Sequence, residues 1–233
     1  MPGRPYVVLS CAISLDGYLD DATPHRLVLS NAADLDRVDA VRAGCDAIMV
    51  GANTVRRDDP RLLIRSARRR AERVARGLPA NPMKVTVTRG GELPGTARFF
   101  TTGPAARLVY CPESRRAALA AQLAAADPAE IVGLPDPIGL RDVLADLAGR
   151  GVRRLMVEGG SGILTGFLTG ALADELQVVV APFFVGDPAA PRFVGPGRFP
   201  FDQDRRLSLI ETVQMGDCML LRYRLPPAGE HDG

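Results

Sequence analysis

Hydrophobic and polar positions along this chain come in blocks. Tyr6 to Ile13 is a β-branched apolar run that stops at the turn signal Asp16-Gly17. Asp46 to Val50, Met83 to Val87, Arg107 to Tyr110, Arg154 to Val157 and Glu175 to Ala181 repeat the theme. Short apolar runs of this kind are the mark of strands buried on both faces. The stretches between them carry helical spacing. Asn31 or Ser30 is placed to cap a helix reaching about Gly44, with Leu35, Val38 and Val41 on one face. Ser114 to Ala126 is an alanine-rich helix, and Ile138 to Gly149 is another, stopped by Gly149-Arg150-Gly151. Ser161 to Gly170 is a short one. The end differs: Leu207 to Met215 and Cys218 to Leu225 flank Gly216-Asp217, the pattern of an antiparallel hairpin. An alternating α/β body with a terminal hairpin predicts a mixed, mostly parallel sheet with helices on both faces. Pro188 to Pro200 reads as a Pro/Gly-rich loop. With no repeat and no linker, residues 1–226 read as a single domain, followed by a flexible tail at 227–233.

Composition narrows the function classes. Of 233 residues, 46% are hydrophobic and 24% charged, so a packed core is within reach. A net charge of +2 is too small for a general nucleic-acid binder. The basic stretch Arg65 to Arg76 lacks aromatics and reads as a solvated helix or loop. No secretory signal is visible, and no run approaches the ~18 apolar residues of a membrane span. Cys11, Cys45, Cys111 and Cys218 are scattered, and only His25 and His231 could assist them, so neither a zinc site nor a disulfide framework is expected. A reduced, cytoplasmic setting follows.

Three segments stand at the C-terminal ends of strands, where open α/β sheets place their ligands. Ser14-Leu15-Asp16-Gly17 sets a carboxylate directly after a strand; alone it is compatible with an ordinary turn. Gly51 to Pro60 (GANTVRRDDP) follows a strand with a glycine, Asn53 and Thr54 at a helix start, then Arg56 and Arg57. A capped helix with a polar turn would look the same. Val157-Glu158-Gly159-Gly160-Ser161-Gly162 turns a strand through glycines into a helix. That is the recipe for a phosphate cradle: free backbone N–H groups, a helix N-terminus and no side chains in the way. A tight strand-to-helix turn is the alternative. The spacing matches neither G-x-G-x-x-G nor a Walker A loop. With no nucleophile elbow and no histidine-based triad, the set suits a site that binds phosphates and leaves the reactive atom to a cofactor.

Taken together, Ser14 to Gly17, Asp46 to Pro60 (DAIMVGANTVRRDDP), Val157 to Gly160 (VEGG), Asp174-Glu175-Leu176 and Ala181-Pro182 resemble the reductase domain of the bifunctional riboflavin-biosynthesis deaminase-reductases and its stand-alone relatives. The resemblance runs from about Tyr6 to about Leu225. It implies a dihydrofolate-reductase-like, three-layer fold, a homodimer, and NADPH as hydride donor. The substrate it implies is 5-amino-6-(5-phosphoribosylamino)uracil or the 2,5-diamino-pyrimidinone counterpart. The ribose of that substrate opens to an imine, and C1′ takes the hydride to give a ribitylamino product. The deaminase signatures are absent, so the chain looks like a stand-alone reductase.

The resemblance assigns NADPH contacts to Ala12, Thr54, Asp58, Gly159, Gly160, Ser161, Gly162, Ile163, Leu164, Thr165 and Gly166. It assigns the substrate to Arg42, Leu62, Arg65 and Glu158, the two arginines suiting a 5′-phosphate. Glu158, expected to be buried, would meet a pyrimidine N–H. Asp16 is the candidate for assisting ring opening or protonation, with a structural turn as its alternative. There are departures. Ser10 stands where many relatives carry Lys, Asp20 to Ser30 looks shorter, and Thr88-Arg89 replaces a usual Asp. Arg89 would meet a 2′-phosphate or simply lie exposed. Two other readings stay open: another pyrimidine or pteridine reductase on this fold, and a nucleotide-binding protein without activity.

Overall fold

The computed structural model describes residues 3–23, 27–90, 92–126 and 128–226. In chain order the elements are β1 (Tyr6–Ser14), α1 (Ala32–Ala43), β2 (Ala47–Gly51), α2 (Ala52–Asp58), α3 (Ala67–Ala75), β3 (Met83–Val87), α4 (Arg98–Thr101), β4 (Arg107–Pro112), α5 (Glu113–Gln122), β5 (Glu130–Leu134), α6 (Leu140–Gly149), β6 (Arg154–Glu158), α7 (Ser161–Thr169), β7 (Glu175–Ala181), β8 (Ser208–Met215) and β9 (Cys218–Arg224). They gather into two compact units, one built from Val38–Met156 and the other from Tyr6–Arg37 with the residues from Val157 onward. His25, His231 and the tail at 227–233 lie outside the described residues.

The strands of the first unit follow the order β5-β4-β3-β2-β6. β2–β3, β3–β4 and β4–β5 pair in parallel. Ile48, Met49, Val85, Leu108 and Val109 are all but sealed from solvent, which is why these strands read as largely apolar runs, although β3 also buries Lys84 and Thr86. Phe99 and Phe100 of α4 meet edge to face at 4.9 Å and fill the core against Ile48, Val50 and Val109. On the same face Lys84 is fully buried, and its Nζ donates to the carbonyls of Phe99 at 3.1 Å and Thr102 at 2.6 Å, closing the end of α4. Burial, then the charge of Arg107, lowers the Lys84 amine to about 8.

The second unit runs β1-β7-β9-β8. β1 and β7 pair in parallel, while β7–β9 and β8–β9 are antiparallel. Gly216, at φ 66°, takes the first position of the two-residue turn between β8 and β9. Asn31 caps α1: its Oδ1 accepts the N–H of Asp34 at 3.0 Å, and its Nδ2 donates to the Met215 carbonyl at 2.5 Å. The fully buried positions of α1 are the carboxylates Asp34 and Asp39, whereas Leu35, Val38 and Val41 are half-buried.

The basic stretch departs from expectation. It forms α3, capped by Ser66, but it is not simply solvated: Arg73 is 2% exposed. The guanidinium donates to the carbonyls of Ala43, Cys45 and Pro79, and that offsets burial of the charge. The short elements α4 and β5 were not anticipated. α5 ends at Gln122, and α6 begins at Leu140.

Candidate functional site

The expected site residues fall on two arms, one in each unit. In the first unit, β2 leads through Gly51 into α2, whose start has no side-chain cap. Thr54 on this helix is buried, and Asn53, Arg56 and Arg57 are exposed. Arg56 donates to the Glu92 carbonyl at 2.8 Å. α2 ends at Asp59 in the left-handed region, φ 43°, and Leu62 repeats that conformation at φ 48° while 1% exposed. Left-handed backbone at a leucine is costly and persists only where the surroundings impose it.

The surroundings are explicit. Asp59 takes the N–H and guanidinium of Arg98. Asp39 of α1 accepts the backbone N–H of Arg65, the N–H of Ser66 at 3.1 Å and Nη1 of Arg69 at 3.1 Å. One turn further along α1, Arg42 donates Nη1 to the Leu63 carbonyl at 2.8 Å. Asn81 fixes the N–H of Ile64 at 3.0 Å. A segment with left-handed backbone at Asp59 and Leu62 is thus held at Asp59 and at each residue from Leu63 to Ser66. Arg42 and the backbone of Arg65 are brought to one helix, and the Arg65 side chain is exposed. Asp39 was missed in the sequence; its signal is only an acidic residue at i−3 from Arg42.

In the second unit, Ser14 and Asp16 form a closed turn. Ser14 Oγ donates to Asp16 Oδ1 at 2.5 Å and accepts the Tyr18 N–H at 3.0 Å. Asp16 also accepts the N–H of Val185 at 3.1 Å and that of Gly186 at 2.8 Å. Desolvation raises its pKa, but these bonds from Ser14, Val185 and Gly186 outweigh it and hold the carboxyl below the usual aspartate range. Ionised and already an acceptor three times over, Asp16 is suited to fixing the loop after β7 and poorly suited to donating a proton.

The glycine junction follows β6. Gly159 and Gly160 sit at φ 68° and 84°, conformations that glycine adopts without strain. α7 begins with no side-chain cap. Its first bonds run from Ile163 and Leu164 N–H to the Gly160 carbonyl, both at 3.1 Å, so the N–H groups of Ser161 and Gly162 lead the helix. A Cβ on Gly159 would meet nothing within 4 Å. Open glycine backbone, an uncapped helix start and the helix dipole fit a phosphate of a dinucleotide. Leu164 is sealed in the core, so it offers only its backbone, and Glu158 is half-buried, not buried as expected. Thr165 Oγ1 accepts the Gly195 N–H at 2.8 Å, and a Cβ on Gly197 would approach Thr169 to 2.7 Å. The loop from 193 to 197 therefore lies directly on α7, a contact with no local signal in the sequence.

Ala12 lies half-buried on β1. Ser10 is buried and faces Arg37, whose Nη2 reaches its hydroxyl at 3.3 Å. Arg37 also holds Asp34 and Gln177. A cation thus stands beside Ser10, but it comes from α1. Arg89 is exposed. Among the described residues no group of three or more His, Cys, Asp or Glu could hold a metal ion, and no helix is long and apolar enough to cross a membrane.

Against known proteins, the family model described as RibD C-terminal domain matches residues 5–221. A protein of Archaeoglobus fulgidus, named 2,5-diamino-6-ribosylamino-4(3H)-pyrimidinone 5′-phosphate reductase, is 35% identical over 225 residues, which is 94% of this chain and 99% of its own. A protein of the same name from Methanothermobacter thermautotrophicus is 35% identical over 221 residues, 94% of this chain and 98% of its own. Among solved structures, a pyrimidine reductase-like protein from Corynebacterium diphtheriae superposes with a TM-score of 0.80 at 18% identity, over 96% of this chain and 93% of that one. At that identity the likeness carries the fold alone.

Proposed function

This chain belongs to the RibD C-terminal domain family, and from that membership we propose that it reduces the ribosyl group of 2,5-diamino-6-ribosylamino-4(3H)-pyrimidinone 5′-phosphate in riboflavin biosynthesis, with NADPH as reductant. The fold is the dihydrofolate-reductase-like one. The observation that carries the reading is the near end-to-end likeness, at 35% identity, to reductases named for that substrate. The match runs without a break through residues of both units, which supports one reductase domain over 1–226.

The residues divide the work by chemistry. Gly159, Gly160, Ser161 and Gly162 would take a cofactor phosphate through backbone N–H groups, with Ile163, Thr165 and Gly166 continuing that surface. Ala12, Thr54 and Asp58 complete the cofactor set. NADPH, when bound, supplies the hydride. Arg42 and Arg65 would pair with the 5′-phosphate, a match of forked donors to phosphate oxygens. Leu62, held rigid in its left-handed conformation with its side chain sealed in the core, would meet the substrate only through its backbone. Glu158 would accept from the ring's N–H or amino groups. Asp16 positions the loop after β7 and stays ionised.

The test is NADPH oxidation, followed at the nicotinamide absorbance band, with the diamino substrate and its uracil counterpart offered separately. Turnover on the diamino compound alone is expected. Turnover on the uracil alone would move the substrate, and NADPH binding without turnover on either would favour a different reductase on this fold. The same reading makes the protein a cytoplasmic homodimer. The four described cysteines are all free and buried, which suits a reducing compartment, and sedimentation equilibrium measures the dimer.

A further inference from the structure

The first unit contains a cavity of about 290 Å³ that the reductase reading does not use. It lies at the first residues of the strands: Asp46 precedes β2, Met83 opens β3, Ala106 precedes β4 and Val152 stands two residues before β6. The Gly51 arm is at the other end of β2. Five residues of strand put roughly 15 Å between the two ends.

Two of the lining side chains are almost entirely buried and carry unspent donors. Arg73 is 2% exposed. Its Nε donates to the Pro79 carbonyl at 2.9 Å, and Nη1 donates to the carbonyls of Ala43 and Cys45, both at 2.8 Å. A guanidinium has five N–H donors, and these bonds use those of Nε and Nη1. Among the described residues Nη2 has no acceptor. Asn81 is 5% exposed, its Oδ1 accepts the Ile64 N–H at 3.0 Å, and its Nδ2 has no acceptor among the described residues. Among the described residues the only side-chain polar atom both sealed and unpartnered is Thr86 Oγ1. Arg73 Nη2 and Asn81 Nδ2 are therefore still reachable, and the cavity that both side chains line is where an acceptor would reach them. Asp46 adds the opposite chemistry. Its Oδ2 accepts the N–H groups of Arg153 and Arg154 at 2.8 and 2.9 Å, and its Oδ1 accepts none.

We propose that this cavity is a second, non-catalytic binding site for a small planar heterocycle with a carbonyl–NH–carbonyl edge, of the pyrimidinedione type. The carbonyl oxygens accept from Arg73 and Asn81, the ring N–H donates to Asp46, and the ring faces rest on the apolar walls at Leu78, Pro79 and Pro104. A bare anion is matched less well, because the Asp46 carboxylate shares the lining with Arg73, and the second lining guanidinium, Arg150, is already paired with Glu130 and Asp146. The volume is at the small end for ligand pockets and suits one or two rings. The site does not depend on the reductase reading.

Uracil titrated into the ¹⁵N-labelled protein tests this. The expected result is a saturable shift of the Asn81 side-chain amide resonance together with the backbone amides of Ala105 and Gly151. Asn81→Asp keeps an oxygen for Ile64 and removes the Nδ2 donors, and it should weaken the binding read at the Ala105 and Gly151 amides at least tenfold. Ala105→Leu adds bulk to the cavity from a loop, leaves Arg73 itself unchanged, and should abolish the shifts. If Asn81→Asp does not fold, Ala105→Leu still decides. Both variants should bind NADPH as the wild type does. Shifts from inorganic phosphate but not from uracil would overturn the ligand class. Uracil shifts confined to the neighbourhood of Glu158 and Gly160, or none at all because the cavity takes only water, would overturn the site.

Discussion

Gly186 donates its backbone N–H to Oδ2 of Asp16 at 2.8 Å, which ties the loop after β7 to the turn after β1 through one carboxylate. Removing that carboxylate in Asp16→Ala should release the loop. At neutral pH kcat should fall about tenfold or more through lost positioning, with NADPH affinity little changed. The sign of the pH dependence follows from the lowered pKa. The carboxylate form is favoured by folding, so its stabilisation is complete above the ordinary aspartate range and fades as pH falls through the lower, folded value. The gap in Tm between wild type and Asp16→Ala should therefore close in acid. A gap that widened as pH fell would mean that Asp16 is protonated in the fold.

Gly160→Val adds a branched side chain at φ 84° beside the start of α7. The left-handed strain alone is roughly 1–2 kcal/mol, and the side chain also stands where a phosphate must approach. NADPH affinity should drop at least about a hundredfold, equivalent to ~3 kcal/mol, while the far-UV spectrum is kept. Isothermal titration measures it, and an unchanged dissociation constant would remove the glycine junction from the cofactor site.

Arg65→Ala leaves the backbone N–H that Asp39 accepts and removes an exposed guanidinium. KM for a phosphorylated substrate should rise by about ten- to a hundredfold, the worth of a charge-assisted bond. The affinity for NADPH should stay within twofold of wild type. Equal losses for both would show that Arg65 does not serve the substrate phosphate.

Lys84→Met tests the buried amine. Its folded pKa is about 8 against an ordinary 10.5, lowered by burial and by Arg107. Between those values the unfolded chain binds more protons than the folded one, so stability contributed at this site rises with pH across that window. Denaturant unfolding from pH 7 to 10.5 should show the wild type gaining on Lys84→Met by up to about 3 kcal/mol. Parallel curves would mean that the amine keeps its proton throughout.

The strands buried on both faces were legible because apolar residues dominate their runs; β7 occupies Glu175–Ala181 as read, with its buried Glu175 and Gln177 paired to each other and to Arg222 and Arg37. The hairpin announced itself through Gly216-Asp217. β5 did not, since no residue of Glu130–Leu134 is fully buried and Gly133 interrupts the run next to its end. The glycine junction was legible as backbone chemistry. What holds the arms was not. Asp39 meets Arg65 across 26 residues and Asn81 meets Ile64 across 17, and a polar side chain with a distant backbone partner looks in sequence like any surface residue. Arg73 misled for the same reason: an arginine among arginines reads as solvated until its carbonyl partners are known.

Synthesis runs from the N-terminus, and this gives the β1–β7 pairing a temporal side. Val7 donates its N–H to the Asp174 carboxylate at 2.7 Å, a partner 167 residues further on. At roughly 5–20 residues per second, β1 leaves the ribosome about 10–30 s before β7 exists. The stretch Val38–Met156 is continuous and complete well before then. Translation thus completes the whole stretch 38–156 while β1 still waits for β7, and in that interval an edge of an apolar strand is open to other chains.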